Sequence, residues 1–326
     1  MRNLIHKLDP EFAHSLLVKK LKLGLYKQRK SLRIAQRKVF GVTFPNYMGV
    51  AAGFDKNAEI FPMLLDMGFG FVEVGTLTPN PQEGNPKPRI EVDVKNRTIW
   101  NSMGLNNCGY KEAIKRIRKY RDRISSEICR SGDPVKVSEK YPGKIGVSIA
   151  PDPYSSNPIQ DLQLGVCVFC DYVDYITLNI SCPNVKNSKF TFDQLKEVLE
   201  FCKKNMIRCP ILLKISPNMS HKEDKMLLEI IDNGLVDGLV ISNSYSDPFG
   251  FKGGGFSGRK IGFTSSSYLR KINGAMSKDK RVPIIACGGI FDKYDVYDRI
   301  TKGASLFQVY SALVFRGIDI SQEFIV

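Results

Sequence analysis

The chain has 326 residues, of which 43% are hydrophobic and 25% are charged, and its mean hydropathy is −0.18. This composition is typical of a globular protein and excludes collagen-like, disordered and disulfide-scaffold chains. No apolar run approaches the ~18 residues of a membrane-spanning helix, and the N-terminus lacks the long apolar stretch of a secretory signal. We therefore expect a protein kept in a reducing compartment.

The cysteines do not form a metal-binding pattern. There are eight, scattered along the chain, and the one CxxC spacing joins Cys167 to Cys170. No second pair with ligand spacing accompanies it, and the chain has only three histidines. We interpret the pair as two small apolar residues on a helix and predict no metal site.

The first 40 residues carry much of the net charge of +15, with eleven lysines and arginines against two acidic residues. Apolar residues in the same segment recur at spacings of three and four, which predicts a basic amphipathic helix. Such a helix is attracted to an anionic membrane surface. A helix packed on its own domain with a solvated basic face fits the pattern equally well. Nucleic-acid binding is not favoured, because no recognition motif accompanies the charge.

From residue 47 onward, short β-rich apolar runs alternate with helical stretches. The eight runs are Tyr47–Gly53, Phe69–Thr76, Lys144–Ala150, Asp174–Ser181, Pro210–Ser216, Gly238–Ser244, Val282–Gly289 and Ser305–Ser311. The helices are predicted at Asn57–Met67, Asn107–Ile128, Phe192–Met206, Lys222–Asn233 and Asp292–Lys302. Eight such repeats predict an α/β fold, a (β/α)8 TIM barrel with a short N-terminal helical extension. A doubly wound open sheet is the alternative.

Polar and small residues stand at the C-terminal edges of the predicted strands. They are Lys56, Thr76, Asn179, Cys182, Asn184, Lys214, Asn243, Ser244, Gly288, Gly289, Tyr310 and Ser311. Barrel enzymes build their active sites at this face because all eight strand ends meet there. We therefore interpret these residues as the rim of an active site.

The glycine-rich loops of the last two repeats indicate a phosphate site. Pro283–Gly289 precedes a predicted helix, and Tyr310 and Ser311 follow the eighth strand, as in the phosphate sites of many barrels. The GxGxxG match at 253–258 does not follow a strand, so we interpret it as a flexible loop rather than a dinucleotide fingerprint.

The remaining rim residues suggest a planar ligand and an acid–base group. Cys182, just before a proline, fits either a base or nucleophile or a buried structural thiol. Four amides are suited to the paired donors and acceptors of a planar ligand: Asn101, Asn179, Asn184 and Asn243. Lys56 and Lys214 supply positive charge for a carboxylate or a developing anion, unless they simply face solvent.

These motifs together resemble the dihydroorotate dehydrogenases, flavin-containing barrels that oxidise dihydroorotate to orotate in pyrimidine synthesis. The matching stretches, in order over almost the whole chain, are AAGFDKNAE (51–59), GFGFVEVGTLTPNPQEGNPKPRI (68–90), NSMGLNNCG (101–109), LNISCPN (178–184), LLKISP (212–217), ISNS (241–244), GGFSG (254–258), PIIACGGI (283–290) and GASLFQVYSALVFRG (303–317). The stretches GTLTPNPQEGNPKPR and LDPEFAH (8–14) resemble the membrane-associated, quinone-using class 2 branch.

The resemblance implies a role for each matching position. It implies an FMN cofactor held by Ala52, Gly53, Thr76, Asn179, Lys214, Ser242, Gly258, Gly289, Tyr310 and Ser311. It implies contacts with dihydroorotate or orotate from Lys56, Asn101, Ser102, Met103, Gly104, Leu105, Asn179, Asn184, Asn243 and Ser244. Cys182 falls on the position of the catalytic base. We accordingly expect residues 1–40 to form a membrane and quinone segment and residues 41–326 to form the FMN-binding barrel.

Two departures from the class 2 pattern concern the electron acceptor and one cofactor contact. Class 2 members carry serine where this chain has Cys182, and cysteine there resembles the soluble class 1 enzymes. Ser148 replaces the usual asparagine after the third strand, which puts one FMN contact in doubt. We expect quinone as acceptor, because the N-terminal extension builds the second site. Fumarate or another soluble acceptor is the alternative, and a barrel that only binds a phosphate ligand is the non-enzymatic one.

The resemblance also implies a location. We expect a peripheral membrane protein on the cytoplasmic face of the inner membrane, or on the mitochondrial inner membrane if the source is eukaryotic.

Overall fold

The predicted barrel is confirmed by a computed structural model that describes residues 8–28, 36–180, 190–246, 253–321 and 323–324. The strands, numbered in chain order, are β1 Arg37–Val39, β2 Val42–Phe44, β3 Met48–Val50, β4 Phe71–Leu77, β5 Ile90–Asp93, β6 Thr98–Asn101, β7 Lys144–Ile149, β8 Tyr175–Asn179, β9 Ile211–Ile215, β10 Gly238–Ile241, β11 Tyr245–Ser246, β12 Gly255–Gly258, β13 Ile284–Cys287 and β14 Ala304–Val309. The α-helices are α1 Pro10–Lys22, α2 Phe61–Asp66, α3 Gly109–Ser131, α4 Pro134–Lys140, α5 Pro158–Phe169, α6 Phe192–Lys204, α7 His221–Asp232, α8 Gly262–Ala275, α9 Lys293–Thr301 and α10 Ser311–Arg316.

Eight parallel strands close into one barrel in the order β3, β4, β7, β8, β9, β10, β13 and β14. One barrel strand lies within each of six predicted runs; in the remaining two, β4 and β14 extend one residue beyond the run. Most strands are shorter than the runs, because residues such as Asn243 after β10 and Gly288 after β13 leave the ladder and turn over the barrel mouth. Asn179 on β8 stands opposite Lys214 on β9, so the register brings these two rim residues together.

The amino ends of the barrel strands are closed by the β1–β2 hairpin. Phe44, fully buried, packs its ring against Phe71 at the start of β4, with ring centres 5.2 Å apart. Phe40 at the turn lies against Gly238 at the start of β10. This apolar plug excludes water from one end of the barrel and leaves the carboxyl end open.

A second, four-stranded antiparallel sheet stands over the carboxyl end. Its order is β11, β12, β6 and β5, and its register pairs Gly255 with Asn101 and Gly258 with Thr98. The interpretation of the GxGxxG segment as a flexible loop was therefore wrong for 255–258, which form β12. One of its two partner strands, β6, lies about 150 residues earlier in the chain, so no local pattern revealed that pairing.

The five predicted helices are present with shifted ends, as α2, α3, α6, α7 and α9. At the N-terminus, helix α1 begins after Asp9, whose side chain accepts a hydrogen bond from the backbone N–H of Phe12 at 2.9 Å. Within the segment predicted to be helical, residues 37–39 instead form β1. None of the helices described has the length and apolar character needed to cross a bilayer.

Candidate active site

A cavity of about 1100 Å³, counted to its open mouth, lies at the carboxyl ends of the barrel strands. Its floor is the top of the barrel interior, and one wall is the antiparallel sheet, which contributes Ile90, Ile99 and Ser257. The cavity is thus built where the strand ends of the barrel converge.

All ten positions predicted to hold the cofactor line this cavity. They are Ala52, Gly53, Thr76, Asn179, Lys214, Ser242, Gly258, Gly289, Tyr310 and Ser311. These residues come from the carboxyl ends of seven barrel strands, or from the segments that follow those strands, and from β12. Their convergence on one space is a geometric result, and their individual roles stay predictions.

The positions predicted to contact substrate divide into three groups. Seven line the same cavity: Lys56, Asn101, Met103, Leu105, Asn179, Asn243 and Ser244. Ser102 and Gly104 turn instead toward Asn85, whose amide donates to the Ser102 hydroxyl at 3.0 Å. Asn101, Met103 and Leu105 thus face the cavity, whereas Ser102 and Gly104 between them face away from it. Asn184 lies outside the described residues, as does Cys182, the predicted catalytic base.

A chain of hydrogen bonds crosses the cavity from β7 to the loop after β10. The Asn243 amide donates to the Asn179 side-chain oxygen at 3.0 Å, and the Asn179 amide donates to the Thr76 hydroxyl at 2.9 Å. Thr76 in turn shares a hydrogen bond with Ser148, whose Oγ lies 2.9 Å away. Each amide is therefore held in one orientation, which a site for a planar polar ligand requires.

Lys56 is positioned by the buried carboxylate beside it. Asp55 accepts hydrogen bonds from the backbone N–H groups of Glu59, Ile60 and Phe61 at 2.7–2.9 Å, which fixes the loop before α2. Burial raises the pKa of Asp55 to about 6 despite these bonds. Burial also lowers the pKa of Lys56 to about 8, so this lysine loses its charge at a much lower pH than a solvated one.

Lys214 lies on the cavity floor and is only 5% exposed. Its Nζ is 3.8 Å from an oxygen of Glu73, which is fully buried in the barrel interior. The other oxygen of Glu73 accepts hydrogen bonds from Tyr175, Thr177 and Gln308 at 2.9–3.2 Å. A buried positive charge thus stands under the cavity with a fixed carboxylate behind it.

The glycines after β13 leave room for backbone approach at the far end of the cavity. Gly289 has φ +72°, and a Cβ there would lie 2.2 Å from the Cα of Gly262, at the first turn of α8. Two buried polar atoms on the cavity wall have no hydrogen-bond partner among the described residues, Ser242 Oγ and Gln308 Oε1. Buried polar groups are normally satisfied, so these atoms indicate a polar ligand in the cavity.

Helix α1 is clamped at the cavity mouth. Glu11 and Arg89 form a two-pronged ion pair with N–O distances of 2.8–3.2 Å, and Arg89 is 8% exposed. Burial opposes ionisation of Glu11, but the hydrogen bonds and charge of Arg89 outweigh it and leave the pKa of Glu11 below its usual value. The His14 Nε2–H donates to the carbonyl of Phe54 at 2.8 Å. The ring of Phe54 packs against Tyr310, which lines the cavity, at 5.8 Å.

Several of these residues escaped the sequence analysis. Glu73 and Gln308 both lie within matched stretches, but neither stands at the carboxyl end of a strand, and neither was predicted as a site residue. Glu11 and Arg89 belong to quoted motifs 78 residues apart, and only the fold pairs them. Among the described residues, no group of three or more histidines, cysteines or acidic side chains is arranged to hold a metal ion.

The fold and the cavity define a (β/α)8-barrel protein with a deep ligand site at the carboxyl ends of its strands, backed by a buried lysine. Comparison with known proteins specifies the class further. The family model described as dihydroorotate dehydrogenase matches residues 34–325, and the chain belongs to this family.

Similar proteins of this family are named as quinone-dependent enzymes. One from Bartonella tribocorum, "Dihydroorotate dehydrogenase (quinone)", is 35% identical over 97% of this chain and 87% of its own. Its counterpart from Oryza sativa subsp. japonica, named as mitochondrial, is 34% identical over 95% of this chain and 71% of its own. The ligand-free DHODH structure from Eimeria tenella superposes with a TM-score of 0.85 at 29% identity, over 97% of this chain and 93% of that one. The predicted resemblance to class 2 is confirmed, and the family implies a flavin cofactor.

Proposed function

We propose that this protein oxidises dihydroorotate to orotate in pyrimidine biosynthesis, with FMN as cofactor and a quinone as electron acceptor. One observation carries the proposal: in a chain of this family, ten predicted cofactor positions and seven predicted substrate positions line a single cavity. The relatives named above are quinone-dependent, which supports the same acceptor here.

The residues at the two ends of the cavity suit the two parts of FMN. The glycine loop at Gly288 and Gly289, with Tyr310 and Ser311 opposite, offers backbone N–H groups to a phosphate. Thr76, Asn179 and Lys214 offer polar groups to the ring. Ser148 does not line the cavity and instead bonds to Thr76, so we assign it an indirect contact through that residue.

When bound, the flavin supplies a two-electron acceptor for the hydride that dihydroorotate loses. Lys214 holds a positive charge at the cavity floor, where it stabilises negative charge that develops above it. The low exposure of this lysine strengthens the effect, because little water screens it. The hydrogen-bonded amides of Asn179 and Asn243 present fixed donors and acceptors to the edges of the pyrimidine ring.

Two further side chains act on the substrate. Lys56 lines the cavity and pairs as an ammonium with the substrate carboxylate. Cys182 is proposed as the base that removes a proton from the carbon next to the one that loses hydride. A thiol has an unperturbed pKa of about 8.5, far below that of a serine hydroxyl, so it needs less activation for this step.

The quinone site is proposed at helix α1. The Glu11–Arg89 pair and the His14 contact hold this helix beside Phe54 and Tyr310, next to the cavity wall. Apolar side chains before, on and after the helix are exposed: Leu8, Phe12, Leu16, Leu23 and Leu25. Residues 1–40 are thus proposed as the membrane and quinone segment and residues 41–326 as the FMN-binding barrel.

An anionic membrane surface is the proposed partner of this segment, because exposed apolar side chains accompany its lysines. We propose a peripheral location on the inner membrane, on its cytoplasmic face in a bacterium or in the mitochondrion of a eukaryote. Sedimentation with vesicles rich in anionic lipid tests this. Phe12→Ser should weaken binding several-fold, whereas Tyr154→Ser, at an exposed site on the barrel loops, should leave it unchanged. Equal binding by both variants would contradict the proposed surface.

Fumarate is the second candidate acceptor, and the observation that favours it is Cys182, which resembles class 1. Stopped-flow mixing of the dihydroorotate-reduced protein with a quinone analogue or with fumarate distinguishes the two. We expect the flavin absorbance to return quickly with quinone and slowly with fumarate. Equal rates would favour the soluble acceptor, and a protein without bound flavin would contradict both.

A further inference from the structure

A layer of polar side chains crosses the barrel interior directly below the cavity. Glu73 on β4 lies at its centre with no exposed surface. One carboxylate oxygen faces Lys214 Nζ at 3.8 Å, and it accepts no hydrogen bond from the described residues. The second oxygen accepts bonds from Tyr175, Thr177 and Gln308. The hydrogen bonds therefore fix the carboxylate while leaving one oxygen directed at the lysine.

This arrangement bears on the charge of Lys214. A lysine removed from water favours its neutral form, and buried lysines without a counter-charge lose their proton at or below neutral pH. A neutral lysine gives little electrostatic stabilisation to a negative charge above it. A carboxylate at 3.8 Å offsets the loss of hydration and favours the ammonium.

We propose that Glu73 is a positioning residue that keeps Lys214 in its ammonium form in both redox states of the flavin. This inference rests on the proposed function, since it assigns a task toward the proposed cofactor. Glu73 lies below the cavity floor and does not line the cavity, so it acts on the cofactor through Lys214.

The other titratable groups that face the pair, within the part of the barrel described, remain neutral. Tyr175 on β8 bonds to Glu73, and burial raises the pKa of its hydroxyl well above the usual value. Cys287 on β13 lines the cavity, and burial raises the pKa of its thiol although Lys214 opposes the change. The remaining polar neighbours, Thr177 on β8 and Gln308 on β14, do not titrate. Glu73 therefore supplies the negative charge on this side of the lysine.

The midpoint potential of the bound flavin, measured against pH with reference dyes, tests the proposal. In the wild type, Lys214 is charged throughout, so it takes up no proton when two electrons enter the flavin. In Glu73→Gln, Lys214 is neutral beside the oxidised flavin and takes one proton from solvent onto Nζ on reduction. One additional proton per two electrons adds about 30 mV per pH unit to the slope. A Glu73→Gln slope equal to that of the wild type overturns the proposal.

Two control variants separate charge from structure. Glu73→Asp retains the carboxylate and should retain the wild-type slope. Thr177→Val removes one of the hydrogen bonds to Glu73 but no charge, and it too should show no additional slope. If Glu73 only braced the barrel, Glu73→Gln and Thr177→Val would both lower the melting temperature and neither would change the slope.

A second arm covers the case in which Glu73→Gln does not hold FMN. The double variant Glu73→Gln/Lys214→Met also removes the buried amine that Glu73→Gln leaves without its carboxylate, so it should melt at a higher temperature than Glu73→Gln alone. An equal or lower melting temperature would overturn the proposal. Wild-type protein that purifies without FMN and does not bind it when FMN is added would contradict the proposed function instead. Failure of the proposed function is thus distinguishable from failure of this inference.

Discussion

Replacing Lys56 with methionine keeps most of the side-chain volume at the cavity and removes its charge. Burial lowers the pKa of Lys56 to about 8, so its charge changes within a convenient pH range. The loop that carries it is fixed by Asp55, which bonds three successive backbone N–H groups. The substitution should therefore act on ligand binding and leave the loop in place.

The expected size of the effect follows from the charge-assisted pair with the ligand carboxylate. A hydrogen bond to a charged group contributes about 1.5–3 kcal/mol, which corresponds to roughly 10–150-fold in the dissociation constant. In the wild type, the protonated fraction of Lys56 falls from about 90% at pH 7 to about 10% at pH 9. Because the protonated form binds, affinity is present below pH 8 and is lost above it, by about tenfold at pH 9.

Orotate binding to the FMN-loaded protein, followed by the change in flavin absorbance, measures both effects. Lys56→Met should bind orotate weakly at pH 7 with little further change up to pH 9, while the wild type should weaken over this range. The variant thereby corrects for any titration of the ligand itself. Equal affinity of the two proteins at pH 7, or parallel pH profiles, would refute the assignment of Lys56 to the carboxylate.

Three further outcomes are expected. Arg89→Leu breaks the ion pair with Glu11 and loosens helix α1. Quinone turnover should therefore fall about tenfold, while flavin reduction by dihydroorotate in a single turnover stays unchanged. Equal losses in both steps would count against a quinone site at this helix. Cys182→Ala should slow flavin reduction by roughly 10²–10⁴-fold with FMN still bound, and a rate near that of the wild type would remove the thiol from the mechanism. Gly289→Ala should lose FMN and melt at a lower temperature, because its Cβ would lie 2.2 Å from a backbone atom of α8. Gly274→Ala, with open space around the added Cβ, serves as the control. Equal melting temperatures and flavin content in the two variants would contradict the proposed phosphate site at Gly289.

The strands and their order were predictable because their signal is local. Near-continuous apolar runs such as Ile211–Ile215 are buried on both faces, and only a covered parallel sheet requires this pattern. The rim residues were predictable for a related reason, since a residue at the carboxyl end of a barrel strand faces the site whatever the details of packing. The family motifs then identified which rim positions to expect around one ligand.

Contacts between distant segments were decided by tertiary structure alone. In the sequence, Glu73 is a single acidic residue within an apolar strand. Only closure of the barrel brings its carboxylate to 3.8 Å from Lys214 Nζ. The pairing of β6 with β12 and the Glu11–Arg89 ion pair likewise join segments whose own sequences contain no signal for each other. Local sequence thus determined which residues form strands and strand ends, whereas chain closure determined which buried charges meet, because charge pairing depends on distances that no spacing along the chain specifies.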